Sequence, residues 1–157
     1  MNIDTRIVSK SEVRKILVGA KDRISDPKNW IQGEDYKGDD GQTAACFCAM
    51  GAVRAEAGMY AAPLKGEARE AYDRAGVALG RAVQDLTGLG SGPWTTVFGG
   101  PWTTVSDFND APDTKHGHVL AVLDYAIARL GGESSKAARE AFATVGATPD
   151  PATPEES

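Results

Sequence analysis

The sequence predicts a mainly α-helical single domain, a compact bundle of four to five helices with a glycine- and tryptophan-rich loop or short hairpin between the third and the fourth. Three observations predict it. Apolar residues recur at three- and four-residue spacing along most of the chain, the period of an amphipathic helix. Alanine and glycine are plentiful while aromatics make up only 7% of residues, which favours closely packed helices over a sheet sandwich. At 157 residues the chain has the size of one ordinary domain, enough to bury a core without a disulfide or metal as a staple.

The helical domain is expected over residues 9–145, after an N-terminal extension of residues 1–8. Its first helix starts at Ser9, whose hydroxyl can cap the helix while Glu12 returns a bond to the Ser9 N–H, a capping box. Val13, Ile16, Leu17, Ala20 and Ile24 then form the inner stripe and leave Arg14, Lys15, Lys21 and Asp22 outside. Asp26-Pro27 ends the helix near Ser25. Trp30 and Ile31 fall on a short turn closed by Gly33, and residues 34–42 are polar, acidic and glycine-punctuated, so they read as a loop.

A second helix is expected over residues 43–57, with Gly58 as the left-handed residue beyond its end. From Ala44 to Val53 its residues are apolar or small all round, so it reads as a central, buried helix. After the turn at Ala62-Pro63, a third helix over residues 66–86 has the cleanest stripe: Ala68, Ala71, Tyr72, Ala75, Ala78, Leu79, Ala82, Val83 and Leu86. Residues 87–106 differ in kind. They hold a near-exact repeat, Pro93-Trp94-Thr95-Thr96-Val97 and Pro101-Trp102-Thr103-Thr104-Val105, and read either as a short hairpin weakened by Pro101 or as an irregular exposed loop. A fourth helix follows Asp113-Thr114 with Val119, Leu120, Leu123, Ala126, Ile127 and Leu130 inward. A short fifth, over residues 133–145, is capped by Ser134 or Ser135, and residues 146–157 read as a disordered acidic tail.

Charge narrows the function classes. A net charge of -5 and a pI near 5.0 argue against an electrostatic nucleic-acid binder, which needs a concentrated basic face. The mixed cluster Arg14, Lys15, Lys21 and Arg23 is interrupted by Asp22 and reads as a solvated helix face. No apolar run approaches the roughly 18 residues that span a bilayer, and the N-terminal residues lack the order of a secretory signal. A cytoplasmic protein that uses no membrane is expected, with Cys46 and Cys48 as reduced thiols.

Trp30 and Gly33, then Cys48-Ala49-Met50-Gly51-Ala52, then Phe108-Asn109-Asp110 with Thr114 and the helix holding Val119 to Ile127, resemble a family of small uncharacterised helical proteins from actinobacteria and their phages. That family has a Cys-x-x-Gly-Ala helix and a Trp-Asn-Asp turn, and the resemblance covers residues 9–131. This chain departs from it in having Phe108 where the pattern prefers tryptophan and in its duplicated insert. The resemblance implies no activity. It does imply a phage or accessory role.

Two functions fit the chemistry. The preferred one is a non-enzymatic binding or interaction protein. In it Asn109 and Asp110 bond a small polar ligand, a metabolite or nucleotide signal, or a host protein, beside Trp94, Trp102 and Phe108, whose rings can stack on a planar group. The bland alternative is that Asn109 and Asp110 brace a turn, since Asx oxygens accept nearby backbone N–H groups. The second function is a cysteine hydrolase or transferase using Cys48 with His116 or His118 and Asn109 or Asp110, because a helix N-terminus lowers a thiol pKa. Buried cysteine is equally a common core residue. Glu34, Asp35, Asp39 and Asp40 do not match the calcium-loop spacing, and no zinc spacing, phosphate loop or nucleophile elbow occurs, so no metal or cofactor is expected.

Overall fold

The computed structural model describes residues 8–61, 66–89 and 100–147. The expected N-terminal extension up to residue 7, the Ala62-Pro63 turn, the first repeat copy with Trp94, and the tail from residue 148 lie outside the described residues. The described residues are mainly helical, in the order α1 (Lys10–Arg23), a 3-10 turn (Pro27–Asn29), β1 (Tyr36–Lys37), β2 (Cys46–Phe47), α2 (Ala49–Ala57), α3 (Gly66–Thr87), α4 (Pro101–Asp110), α5 (His116–Leu130) and α6 (Lys136–Ala147).

The local signals at the first helix hold. Ser9 Oγ accepts from the Glu12 N–H at 3.1 Å while Glu12 accepts from the Ser9 N–H at 3.0 Å, and Val13, Leu17, Ala20 and Ile24 are buried. The basic residues of this helix are more than a solvated face. Lys21 Nζ lies 2.7 Å from Asp124 on α5, Arg23 Nε 2.5 Å from Glu56 on α2, and Arg14 Nε donates to the Ile127 carbonyl. These contacts tie α1 to α2 and α5.

The helix expected over residues 43–57 begins only at Ala49. Phe47 pairs with Tyr36, and Cys46 with Lys37, in a two-stranded antiparallel sheet, while Trp30 makes a parallel bridge to Phe47. Cysteine, phenylalanine and threonine are indifferent helix formers, so the burial of Phe47, 1% exposed, decides the conformation. Cys48 is extended and caps α2, its sulfur accepting from the Gly51 N–H at 3.2 Å. Gly58 ends α2 with φ 84°, as its position predicts.

The third helix follows its stripe, and α3 packs against α1, α2, α4 and α5. The reading of residues 87–106 as loop or hairpin is corrected: α4 starts at Pro101 and raises the count to six helices among the described residues, against the four to five expected. Pro101 occupies the first turn of α4, where its missing N–H costs nothing and its fixed φ is already helical. Thr104, Val105, Phe108 and Asn109 form its buried stripe, and this packing overrides the poor helix propensity of the Thr-Thr-Val run. The last two helices form close to their expected positions, with Ser134 Oγ accepting from the Lys136 N–H at 3.2 Å. Among the described residues no helix is long and apolar enough to cross a membrane.

Candidate functional site

Asn109 sits at the end of α4, 1% exposed. Its Oδ1 accepts from Trp30 Nε1 at 2.8 Å and from the Ala49 N–H at 3.0 Å. Its Nδ2 donates to the Ile31 carbonyl at 3.2 Å and to Asp110 Oδ1 at 2.9 Å. A side-chain amide has two donors and two acceptor lone pairs, so these four bonds use all of Asn109. Asp110 Oδ1 also accepts from the Gly33 N–H at 2.9 Å, and Gly33 takes φ 85°, a left-handed turn that favours glycine. Gln32 Nε2 reaches the Asn109 and Ala111 carbonyls at 2.9 and 3.0 Å. The expected Asx constellation is thus a junction joining residues 30–33, the start of α2 and the end of α4.

The aromatic residues expected beside it are packed as well. Phe108 is buried, 6.4 Å from the Phe142 ring. Trp102 stacks on Tyr72 at 4.5 Å and 11°, and its Nε1 donates to the Tyr72 carbonyl at 3.2 Å. A methyl group at Gly76 would collide with the same indole, so glycine there lets α4 lie close on α3.

Cys48 is buried at the foot of α2. Its N–H donates to the Asp35 carbonyl at 3.1 Å, and its thiol lies 4.0 Å from Asp35 Oδ1. Burial pushes the thiol up to about 11, with the Asp35 carboxylate adding to the effect, even though the Gly51 N–H favours the thiolate. Asp35 in turn pairs with Arg54, whose Nε donates to the Tyr72 hydroxyl at 3.1 Å. The Tyr60 hydroxyl is buried close to the Arg54 guanidinium but outside hydrogen-bond geometry, and burial raises it to about 12.

Neither imidazole hydrogen-bonds the thiol among the described residues. His116 Nε2 lies 2.6 Å from the Ile24 carbonyl, and because a carbonyl only accepts, this nitrogen carries the proton. His118 Nδ1 accepts from the Lys115 N–H at 3.0 Å, and its ring centroid lies 4.8 Å from that of Phe142. Burial and the Lys115 cation hold His118 below the usual histidine range.

A sizeable hollow lies elsewhere, between α1, α3 and α5. This groove of about 890 Å³ has Val13, Ala82, Tyr125 and Ala126 as its floor, Val77, Ala78 and Leu130 on its walls, and Lys10, Arg74, Arg81 and Arg129 around it. Asp85 is the only carboxylate lining it among the described residues, and Asp85 Oδ2 accepts from the Tyr125 hydroxyl at 2.7 Å. Arg74 pairs with Glu70 on its own helix, whereas Lys10 and Arg81 have no ion-pair partner among the described residues. Val77 stands 37% exposed at the wall.

A model of DUF6197, described as a family of unknown function, matches residues 8–129. The chain belongs to the DUF6197 family. No curated protein and no solved structure matches it. The DUF6197 span covers α1 to all but the last residue of α5 and leaves α6 outside. Trp30, Gly33, Cys48, Asn109 and Asp110, which carry the sequence resemblance, all lie inside that span and share one hydrogen-bonded region around Ala49 and Asp35.

Within the DUF6197 span, sequence reasoning missed the groove cations. Arg74 and Arg81 lie seven residues apart on α3, flanking Val77 and Ala78. That two-turn basic spacing beside an apolar pair was the available signal, and it reads as a solvated face until α1 and α5 are placed opposite.

Proposed function

We propose that this chain is a cytoplasmic, non-enzymatic binding protein whose binding surface is the groove between α1, α3 and α5. The observation that carries this reading is the reversal of charge there: four cations against one carboxylate in a chain with net charge -5. An apolar floor with a few polar groups above it is the usual character of a ligand site, and the cations select an anionic occupant. The ligand site expected at Trp102, Phe108, Asn109 and Asp110 is a weaker candidate, because the Asn109 amide is fully used and the Trp102 ring is stacked on Tyr72.

A Cys48 hydrolase or transferase is disfavoured by a thiol raised to about 11 and by histidines engaged with backbone groups. An accessory role in actinobacteria or their phages, as the Cys-x-x-Gly-Ala and Phe-Asn-Asp motifs suggest, suits a small binding domain.

Two-dimensional NMR with small aryl carboxylates and their neutral amides tests the reading. Shifts of the Val77, Arg81 and Leu130 amides with the carboxylates alone are expected. Shifts confined to residues around Trp30 and Asn109, or none, would place the binding surface elsewhere.

A further inference from the structure

The cations of the groove are spread out. Arg74 and Arg81 are two helical turns apart on α3, about 10 Å along its axis. Arg129 comes from the last turn of α5 and Lys10 from the first turn of α1. The two-turn separation of Arg74 and Arg81 suits charges spaced along an occupant better than one compact anion such as a phosphate. A segment carrying acidic side chains along its length would meet several. Between the cations run Val77, Ala78, Val13, Ala126 and Leu130, an apolar strip that a fully charged polyanion such as a nucleic acid would leave unsatisfied.

The α3 residues Arg74, Val77, Ala78, Arg81, Ala82 and Asp85, which with Gln84 line the groove, follow helical spacing over three turns, about 16 Å. An amphipathic helix laid along such a wall repeats with the same period. Its apolar stripe meets Val77 and Leu130, and carboxylates two turns apart on its flank meet Arg74 and Arg81. Asp85 does not oppose such a partner directly, because its Oδ2 is bonded by the Tyr125 hydroxyl, which Arg139 Nη2 also approaches at 3.0 Å.

We propose that the groove between α1, α3 and α5 is a docking site for an acidic amphipathic helix of a partner protein, with Arg81 as its main charge contact. The proposal rests on the groove reading above and names its occupant. Arg81 is chosen because it is exposed and has no partner among the described residues, so its replacement disturbs no ion pair there. Arg74 is already paired with Glu70, and its replacement confounds binding with helix stability.

The test is fluorescence anisotropy with the full chain and a labelled peptide of about 14 residues, a length at which isolated helices become marginally stable. The peptide carries leucine on one helical face and glutamate on its flanks. A scrambled peptide of the same composition and a single-stranded oligonucleotide serve as controls. Saturable binding of the patterned peptide is expected, with weaker binding of both controls. Arg81→Glu should weaken it by at least about tenfold, because like charges then face one another. A peptide with lysine in place of the flanking glutamates should bind Arg81→Glu better than it binds the native chain.

Equal binding of patterned and scrambled peptides would overturn the helix, and so would tighter binding of the oligonucleotide. Sedimentation showing a dimer abolished by Arg81→Glu would also overturn it, by giving the groove to a second copy. If carboxylate fragments still shift the Val77 and Arg81 amides while the peptide is inert, the helical partner falls and the groove reading stands. If neither probe binds, both fall.

Discussion

The Trp30 indole donates to the Asn109 side-chain oxygen at 2.8 Å, joining two residues 79 positions apart. The Ala49 N–H shares that oxygen, and the Ile31 carbonyl is held by the amide nitrogen of the same side chain. Asn109→Ala strips partners from all three at once. The Ala49 N–H is buried and the Trp30 and Ile31 groups are partly buried, and an orphaned buried group costs about 1–3 kcal/mol, so a loss of about 3 kcal/mol is expected in urea unfolding. Trp30→Phe removes one bond and leaves Asn109 its Ala49 donor, and should cost clearly less. Equal costs for the two would mean that the ring packing of Trp30, rather than the junction, holds residues 30–33.

Gly51 faces the backbone of Asp35, and a methyl group there would overlap the Asp35 carbonyl oxygen. Because the obstructing atom is backbone, the loop carrying β1 has to move and the bond from the Cys48 N–H to Asp35 is disturbed. Gly51→Ala should lower stability by about 1–3 kcal/mol, the range for overpacked sites, despite alanine's better helix propensity. Gly66→Ala, where the added carbon meets nothing within 4 Å among the described residues, should be neutral or mildly stabilising. Paired thermal melts compare the two.

The raised Cys48 thiol has a consequence for alkaline stability. Its value rises from 9.0 to about 11 on folding, so the unfolded chain releases its proton first. The contribution is present in full below pH 9 and is lost as pH rises through about 11. Denaturation midpoints should fall across that window, and fall less steeply in Cys48→Ala once the lower starting stability of the uncapped helix is subtracted. The same burial predicts slow iodoacetamide labelling of native Cys48 near neutral pH, measured by mass spectrometry against the urea-unfolded chain. Equal rates in the two states would refute the thiol's placement.

His118 works in the opposite direction. Its folded value lies below 6.5 because burial disfavours the cation. Its contribution is therefore present above pH 6.5 and is lost as pH falls through the lower folded value. Protonation also removes the acceptor that holds the Lys115 N–H at the start of α5 and places charge beside Phe142 of α6. Loosening of α6 on mild acidification is expected, seen as faster amide exchange in residues 136–145. His118→Gln, which keeps an acceptor without the titration, should flatten that response.

Local signals made much of the helical frame legible. Ser9 and Glu12 lie within one turn of each other, Gly58 acts within its own turn, and the α3 stripe is a property of one helix. The start of α2 was not legible in the same way, because Phe47 is fixed by Tyr36 and Trp30, and a cysteine cap has no strong sequence signature. Pro101 is ambiguous between a strand breaker and a helix opener, and the packing of α4 on α3, with Trp102 against Tyr72 and Gly76, settles it as the latter. The Asn109-Asp110 pair was legible as a polar constellation, but its partners are 60 and more residues away and no spacing rule reaches them. The groove was least legible, since its apolar and basic residues come from three helices that become one surface only after packing.

The reach of the Asn109 junction also sets an order on biosynthesis. Trp30 and Ala49 leave the ribosome long before the residue that satisfies them, and closing a loop of this length carries an entropic cost that only the assembled helices offset. A chain that does not yet contain Asn109 holds an indole N–H and the first amide of α2 without their native acceptor. A chain truncated before α4 is therefore expected to unfold at lower urea concentration than the full chain, because these donors lose the acceptor that α4 carries.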